Sequence, residues 1–193
     1  MIARLTGLAL MALLVASPSL AATWTVDMGQ SRIGFTAVQL RAPFEGRFRQ
    51  FDAKIDFDPQ NLAESRVEVE IAIESVDSQN QERDEYIVSH AWMAAKTYPT
   101  ARFETTGFSH LGGERYEVKA KLTMRGISRD VVLPFTLKIA DDAAAPGLLV
   151  ARANGSLTVK RNDFGIGQGE FRAIDLIGGD VTIRVSIVAT RPK

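Results

Sequence analysis

Few side chains in this sequence could carry out nucleophilic, acid–base or metal chemistry. Cysteine is absent, and the only histidines are His90 and His110. This excludes disulfides, thiolate metal sites, cysteine nucleophiles and sites built from several histidines. His90 lies close to Asp84 and Glu85 in the sequence, but no nucleophile is placed to complete a triad. We therefore predict no catalytic residue, no metal site and no cofactor.

Two short segments resemble ligand-binding loops without meeting their requirements. The glycines of 165–169 (GIGQG) have the wrong third spacing for a dinucleotide fingerprint and lack its strand–loop–helix context. They are better explained as glycines that permit a tight turn. Asp56 and Asp58 begin a sequence like a calcium loop, but Asn61 and Val67 replace the required Gly and Glu. We interpret the second segment as a turn.

Two arginine–aspartate pairs are the remaining polar candidates. Arg161 and Asp163 flank one asparagine, and Arg83 and Asp84 are adjacent. Each pair could contact the polar head of a ligand at the rim of a binding cavity. Alternatively, each pair could be structural, since charges that are buried or lie at a rim are usually paired.

The overall composition is that of a neutral globular protein. The 193 residues include 23 Lys and Arg and 23 Asp and Glu, so the net charge is zero. A nucleic-acid-binding face is therefore not predicted. Hydrophobic residues make up 46% of the chain and charged residues 24%, which is typical of a folded domain.

The first 21 residues have the pattern of a secretory signal peptide. Arg4 precedes an apolar run from Leu5 to Val15, and small residues follow at 19–21. The apolar run is much shorter than the roughly 20 residues that a membrane-spanning helix needs. We predict cleavage after Ala21 or Ala22, a mature domain over 22–193, and a periplasmic location.

The mature sequence alternates between apolar and polar residues, which predicts strands with one buried and one solvated face. The strongest apolar alternations lie within 67–73, 116–122, 131–139 and 181–187. Weaker runs lie at 24–26, 33–38, 44–51, 54–57, 101–108 and 149–159. Four short segments separate the predicted strands: Gly112-Gly113, Arg125-Gly126, the loop 141–147 and Gly178-Gly179.

One segment, from Ser78 to Met93, interrupts the strand pattern and predicts a short helix. Ser78 and Gln81 have the spacing of a capping box, and apolar residues then recur at helical spacing as far as Ala94. Pro99 ends the segment. The apolar residues of this helix could cover the end of a barrel.

These elements predict a single all-β domain. A closed antiparallel barrel would remove the free strand edges, and about eight strands enclose either packed side chains or one small ligand. Small inward residues such as Ala120, Ala151 and Ala153 could leave a void suited to a lipid tail. Alternatively, Phe side chains fill the interior, or two sheets pack as a sandwich.

Several short motifs follow one another along the mature sequence. They are Trp24-Thr-Val-Asp27, Ser31-Arg-Ile-Gly-Phe35, Gly46-Arg-Phe48 with Phe51, Phe57-Asp-Pro59, the positions Ser75, Asn80, Arg83 and Asp84, Tyr98-Pro99 with Phe103, Leu122-Thr-Met-Arg-Gly126, and Arg161-Asn-Asp-Phe-Gly165. In their order and spacing, these motifs resemble the YceI-like family of bacterial periplasmic proteins. The resemblance extends from Trp24 to about Val188. Trp92-Met93 departs from it, because the family usually has two Phe residues there.

The resemblance implies a lipocalin-like antiparallel barrel, capped by a helix, around a long-chain isoprenoid or fatty-chain lipid. On this basis we expect the ligand to contact Phe35, Ile71, Trp92, Met93, Phe103, Tyr116, Ala120, Phe135, Ala153 and Phe164. We expect Arg83, Asp84, Arg161 and Asp163 at the head group or rim.

Two classes of function are compatible with these observations. The first is non-catalytic binding, transport or sequestration of an apolar lipid. The second is an enzyme or accessory factor that acts on isoprenoid quinones beside a membrane cytochrome, since some relatives occur with di-haem cytochromes. A purely structural barrel that contacts a membrane partner is a third possibility, and a free sheet edge or the helix surface could support a homodimer.

Overall fold

The computed structural model describes residues 22–193, and the predicted signal peptide lies outside this range. The strands are β1 (Thr23–Val26), β2 (Arg32–Gln39), β3 (Ala42–Phe48), β4 (Phe51–Asp56), β5 (Arg66–Ala72), β6 (Val76–Asp77), β7 (Thr100–Gly112), β8 (Arg115–Met124), β9 (Ile127–Asp141), β10 (Leu148–Lys160) and β11 (Asp180–Pro192). The helix is α1 (Gln81–Val88), and short 3₁₀ turns occupy Ile73–Ser75, Arg161–Phe164 and Gly169–Arg172.

These strands form an eight-strand antiparallel barrel, because three pairs of them act as single interrupted strands. β1 and β2 both pair with β11, end to end. In the same way, β4 pairs with β1 and β3 pairs with β2. β5 then pairs with β4, and β6 pairs with β3. The pairing of β1 with β11 closes the sheet. The predicted all-β barrel with one helix is confirmed.

The chain runs up and down, so the connections fall at two ends of the barrel. One end, which we call the helix end, carries the turn 40–41, the segment 78–99 with α1, and the segment 161–179. The other, which we call the hairpin end, carries the loops 57–65, 113–114 and 142–147. β6 pairs with β3 but not with β7, which leaves a gap in the barrel wall at the helix end. The segment 78–99, with α1, covers this gap.

The predicted alternation of inward and outward residues is confirmed along the strands. On β8, Tyr116, Val118, Ala120 and Leu122 are buried. Between Thr105 and Gly107 of β7 the register shifts by a β-bulge. The extra residue allows Phe108 to face the interior, although it breaks strict alternation after Thr105.

Two turns between strands use the left-handed backbone that their sequences predict. Gly112 and Gly113 both have positive φ, at 99° and 61°. Arg125 and Gly126 also have positive φ, at 49° and 72°, and they join β8 directly to β9. Such two-residue turns match the right-handed twist of the paired strands.

The helix and one strand differ from the sequence prediction. The helix cap is Asn80, whose side chain accepts a hydrogen bond from the Arg83 amide, so the predicted capping box from Ser78 is wrong. α1 ends at Val88, and the residues up to Ala94 form turns instead. The predicted strand 44–51 is divided by a turn at 49–50.

Two clusters of buried apolar side chains lie at opposite ends of the barrel. The cluster nearer the helix end contains Ile73, Met93, Ala95, Ala101, Leu122, Met124, Val159, Phe164 and Ile166. The cluster nearer the hairpin end contains Trp24, Phe57, Tyr116, Leu137, Ala151 and Ala189. The Trp24 indole donates a hydrogen bond to the Phe57 carbonyl at 2.9 Å, which fixes the loop that closes this end.

Asp77 fastens β3 and β6 to the start of the helical segment. Its carboxylate accepts hydrogen bonds from the Gln79 amide at 3.1 Å and from Arg49 and Arg47 at 3.1 and 3.2 Å. These donors, the Gln79 amide first, lower the pKa of Asp77 from its ordinary value of 3.8.

We expect the contribution of Asp77 to stability to depend on pH. A carboxylate with a lowered folded-state pKa stabilises the fold above its ordinary pKa of 3.8, and this contribution disappears as pH falls through the folded value. Asp77→Asn should therefore lower the melting temperature at pH 7 and have less effect near pH 2 or below. Thermal unfolding across this range measures the difference, and an effect independent of pH would contradict the prediction.

Candidate functional site

The barrel encloses a cavity of about 450 Å³ that extends between the two buried clusters. Members of both clusters line it, among them Trp24 and Leu137 near the hairpin end and Met93 and Val159 near the helix end. The sequence left open whether side chains fill the barrel, and the structure shows that they do not.

The cavity exists because several strands present small side chains to the interior. Ala151 and Ala153 of β10 both line it, as do Ala37 and Ala101 on other strands. Large inward side chains such as Phe103 remain only half-buried, since part of their surface borders the void. Small inward residues on several strands therefore leave a space that the larger inward side chains do not fill.

The cavity opens at the helix end. Three of its lining residues are exposed, namely Asn80, Glu82 and Tyr86, and all three belong to α1 or its cap. At the hairpin end the lining residues Trp24, Phe57 and Leu137 are buried, and the other lining residues there are at least half-buried. The helix therefore borders the mouth, and the hairpin end is the closed bottom.

Polarity changes along the length of the cavity. Strand residues deep in the barrel are apolar apart from Thr105, whose hydroxyl already accepts a hydrogen bond from the Val67 amide at 2.9 Å. Near the mouth the lining includes Gln39, Asn80 and Arg83. An amphipathic molecule with a long apolar tail matches this arrangement.

Arg83 has hydrogen-bonding capacity to spare at the mouth. Its Nε donates to Gln39 Oε1 at 3.1 Å and its Nη1 to the Ser78 carbonyl at 3.3 Å. The guanidinium also lies 4.0 Å from the centre of the Phe44 ring. Within residues 22–193 no carboxylate pairs with Arg83, and Nη2 makes no hydrogen bond. An arginine has five N–H donors, so some remain for a ligand.

Arg161, in contrast, uses four of its five N–H donors to hold the segment 161–179. Its side chain is buried, with an exposed fraction of 1%, and touches one wall of the cavity. It donates hydrogen bonds of 2.9–3.0 Å to the carbonyls of Ile166, Ala173, Ile177 and Gly178. Burial lowers the pKa of the guanidinium. These four carbonyls satisfy the charge in place of a carboxylate.

Gly167 explains one of the glycines of the 165–169 segment. It has a φ of +81°, which side chains rarely adopt, and a Cβ at this position would overlap Arg161 Nη1. Gly165 and Gly169 also have positive φ. The glycines therefore let the backbone turn closely around Arg161, in agreement with the predicted tight turn.

Most of the predicted ligand-contacting residues line the cavity. These are Phe35, Ile71, Trp92, Met93, Phe103, Phe135 and Ala153. Tyr116, Ala120 and Phe164 do not line it: they face inward but are buried against other side chains, with exposed fractions of 8%, 2% and 1%. Tyr116 stacks on Phe135, and Phe164 is part of the cluster below the mouth.

The four predicted rim residues have different surroundings. Arg83 lies at the mouth, and Arg161 lies against the cavity wall. Asp84 accepts a hydrogen bond from the Ser78 amide at 2.9 Å and does not line the cavity. Asp163 is exposed on a 3₁₀ turn. The expected Arg161–Asp163 ion pair is wrong, because backbone carbonyls occupy the guanidinium instead.

Sequence reasoning missed several residues at the mouth. Gln39, Tyr86, Phe171 and Ile177 line the cavity but were not predicted. Phe171 and Ile177 come from an irregular segment, where periodicity gives no signal. Tyr86 could have been found, since it lies on the predicted helix that was expected to cover the barrel.

Neither metal ligands nor a membrane-spanning helix is found in the described part of the chain. Residues 22–193 contain no group of three or more His, Asp or Glu side chains placed to hold a metal ion. Over the same range, no helix is long and apolar enough to cross a membrane.

The family is decided by a match over almost the whole described chain. A model of the YceI-like domain matches residues 24–189. The chain belongs to the YceI-like family. A UPF0312 protein of Photorhabdus laumondii is 39% identical over 133 residues, which are 67% of this chain and 69% of that protein. A UPF0312 protein of Azotobacter vinelandii is 32% identical, over 80% of this chain and 82% of its own.

Two solved structures share this fold. The chain resembles Burkholderia cenocepacia BcnA with a TM-score of 0.77 and 30% identity, covering 84% of this chain and 98% of BcnA. A polyisoprenoid-binding domain from Saccharophagus degradans, implicated in plant cell wall breakdown, has a TM-score of 0.64 and covers 90% of this chain and all of that domain. Its identity is 15%, so this likeness concerns the fold.

Proposed function

We propose that this YceI-like protein binds a long-chain isoprenoid or other apolar lipid inside its barrel and carries or sequesters it in the periplasm. The observation that carries the proposal is the apolar cavity, closed at the hairpin end and open at the helix end. The resemblance in fold to a polyisoprenoid-binding domain supports an isoprenoid as the ligand.

Burial of the tail supplies a large favourable contribution to the binding free energy. Each methylene removed from water contributes about 0.8 kcal/mol, so ten of them contribute about 8 kcal/mol, which corresponds to a micromolar dissociation constant before the costs of association are subtracted. A longer buried tail offsets those costs. The walls therefore need no polar contact along the tail, in keeping with their apolar lining.

We propose that the polar head of the lipid lies at the mouth beside Arg83. Its unused N–H groups can donate to a carbonyl, hydroxyl or phosphate oxygen. Gln39 and Asn80 line the same part of the cavity and offer further donors. Arg161 is assigned a structural role instead, because its hydrogen bonds are directed to carbonyls of the segment it holds.

Non-catalytic binding is favoured over an enzyme that acts on the lipid. A nucleophile or general base would have to face the cavity, and the acidic group in its lining is Glu82, on the exposed side of α1. A membrane cytochrome as partner and a homodimer stay predictions. In the described fold the barrel is closed, so a dimer would have to use a surface other than a barrel edge.

The test is to express the full chain, collect the periplasmic fraction and extract the purified protein with organic solvent. We expect mass spectrometry to find about one lipid per protein, chemically intact, with a long apolar chain. The intact protein mass should correspond to a chain that starts at Ala22 or Thr23.

Each other outcome contradicts a part of the proposal. Protein that contains no lipid after gentle purification contradicts the binding function. A precursor–product pair of lipids indicates an enzyme. Retention of Met1 contradicts export through a cleaved signal peptide.

A further inference from the structure

The outer surface of the barrel becomes apolar at one side of the mouth. On β2, the outward positions nearer the middle of the barrel are the polar residues Arg32 and Thr36. Closer to the mouth, the apolar residue Val38 is exposed, and Leu40 in the following turn has an exposed fraction of 67%. The facing segment adds Ile174 and Leu176, with exposed fractions of 58% and 59%. We call Val38, Leu40, Ile174 and Leu176 the mouth patch.

Backbone contacts show that the mouth patch is continuous. The Leu40 amide donates to the Leu176 carbonyl at 2.7 Å, and the Gly178 amide donates to the Val38 carbonyl at 2.8 Å. Val38, Leu40 and Leu176 therefore lie together on two paired segments. Ile174 lies two residues before Leu176 on the second of these segments and is likewise exposed.

The mouth patch borders the cavity directly. Gln39 lies between Val38 and Leu40 and lines the cavity, and Ile177, next to Leu176, does the same. Gln39 and Ile177 also form a β-bridge. In both segments, one face therefore lines the cavity, and the opposite face, with Val38, Leu40 and Leu176, is exposed at the mouth.

The tip of the mouth patch is held in a sterically unfavourable turn. Leu40 and Arg41 join β2 to β3 with φ of 51° and 66°. Such two-residue turns favour Asn and Gly, which adopt positive φ readily. Leu40 gains no burial in the described structure that would offset this conformation. An exposed leucine in a position suited to asparagine indicates selection for a contact outside the barrel.

We infer that the mouth patch docks on the surface of a phospholipid bilayer, where the proposed ligand would enter or leave. This inference rests on the proposed function, since a lipid cargo resides in a bilayer. Large exposed apolar patches mark interaction surfaces, and shallow insertion of aliphatic side chains is one such mode. Arg41 is exposed next to Leu40 in the turn, so its guanidinium can pair with a lipid phosphate at the edge of the patch.

The test is flotation of the processed protein with vesicles of phosphatidylcholine and phosphatidylglycerol. We expect the wild type to float, and the double variant Leu40→Asn with Leu176→Asn to bind about tenfold more weakly. Leu40→Asn alone should keep or raise the melting temperature, because asparagine tolerates the left-handed turn. A folded variant with weaker binding separates docking from stability.

Leu111→Asn is the matched control. Leu111 has an exposed fraction of 51% but lies in the hairpin at the closed end of the barrel. This variant should bind vesicles within about twofold of the wild type. Equal losses in the control and the double variant would overturn the inference.

The remaining outcomes distinguish this inference from the proposed function. Wild-type protein that carries lipid but does not float overturns the docking surface and leaves the binding function intact. Protein that floats through the mouth patch but carries no lipid supports docking and contradicts the binding function. A dimer in sedimentation that the double variant abolishes, without vesicle binding by the wild type, overturns the inference in favour of a second copy.

Discussion

Replacing Ala153 by Phe is expected to abolish lipid binding while leaving the barrel folded. Ala153 faces the cavity from β10, between Leu137 of β9 and Ile187 of β11. A phenyl ring at this position would occupy space that the lipid tail needs. Because the ring enters a void, the free energy of unfolding of the lipid-free variant should stay within about 1 kcal/mol of that of the lipid-free wild type. Overpacking of a filled core would instead cost about 1–3 kcal/mol.

Lipid content and thermal unfolding together measure this effect. We expect bound lipid to fall at least tenfold, as determined by extraction and mass spectrometry. Stability must be compared after removal of lipid, since a bound ligand itself raises the melting temperature. Asn154→Phe adds the same ring to the outer face at the next residue and should leave lipid content unchanged. Loss of lipid in the control, or unfolding of the Ala153 variant, would contradict the assigned cavity.

The largest loss of stability is expected for Arg161→Met. Methionine keeps a long side chain but removes the four hydrogen bonds to the carbonyls of Ile166, Ala173, Ile177 and Gly178. Hydrogen bonds from a charged donor contribute about 1.5–3 kcal/mol each, and part of that loss is recovered when water reaches the freed carbonyls. We therefore expect a destabilisation of about 3 kcal/mol or more.

The segment 161–179 should also open in this variant. Limited proteolysis is expected to cut within 165–179 much faster than in the wild type, and bound lipid should exchange faster because this segment forms part of the mouth. Arg172→Met is the control, since Arg172 lies exposed on the same segment and its side chain makes no described hydrogen bond. If Arg161→Met unfolds no more readily than the control, Arg161 does not hold the segment.

Local patterns were sufficient to predict the barrel and its inner face. Alternation placed Ala153 and Phe135 inside and Asn154 outside, because one solvated and one buried face constrain every position of a strand. The break between the runs 24–26 and 33–38 was predicted, but the interruption at 49–50, within the predicted strand 44–51, was not. That interruption depends on how the strand bends to close the barrel, which is a property of the whole sheet rather than of a short run of residues.

The mouth was the least predictable part of the site. Arg161 was singled out from the sequence, but its partners are backbone carbonyls, and carbonyls carry no sequence signal. Asp163 is the carboxylate nearest to Arg161 in the sequence and so suggested an ion pair, but it faces solvent instead. Tyr116 and Ala120 were placed on the correct face, but a face does not reveal which inward side chains border a void and which are packed.

The pairing that closes the barrel has a consequence for how the chain folds. β1 and β2 hydrogen-bond to β11, and Ser31 exchanges hydrogen bonds with the backbone of Val188 across 157 residues. Contacts so distant in sequence slow folding, because the ends of a long loop must meet before the contacts form. The first strands therefore have no partner on one side until β11 has been synthesised. Until then the edges of the sheet are open to pairing with other chains.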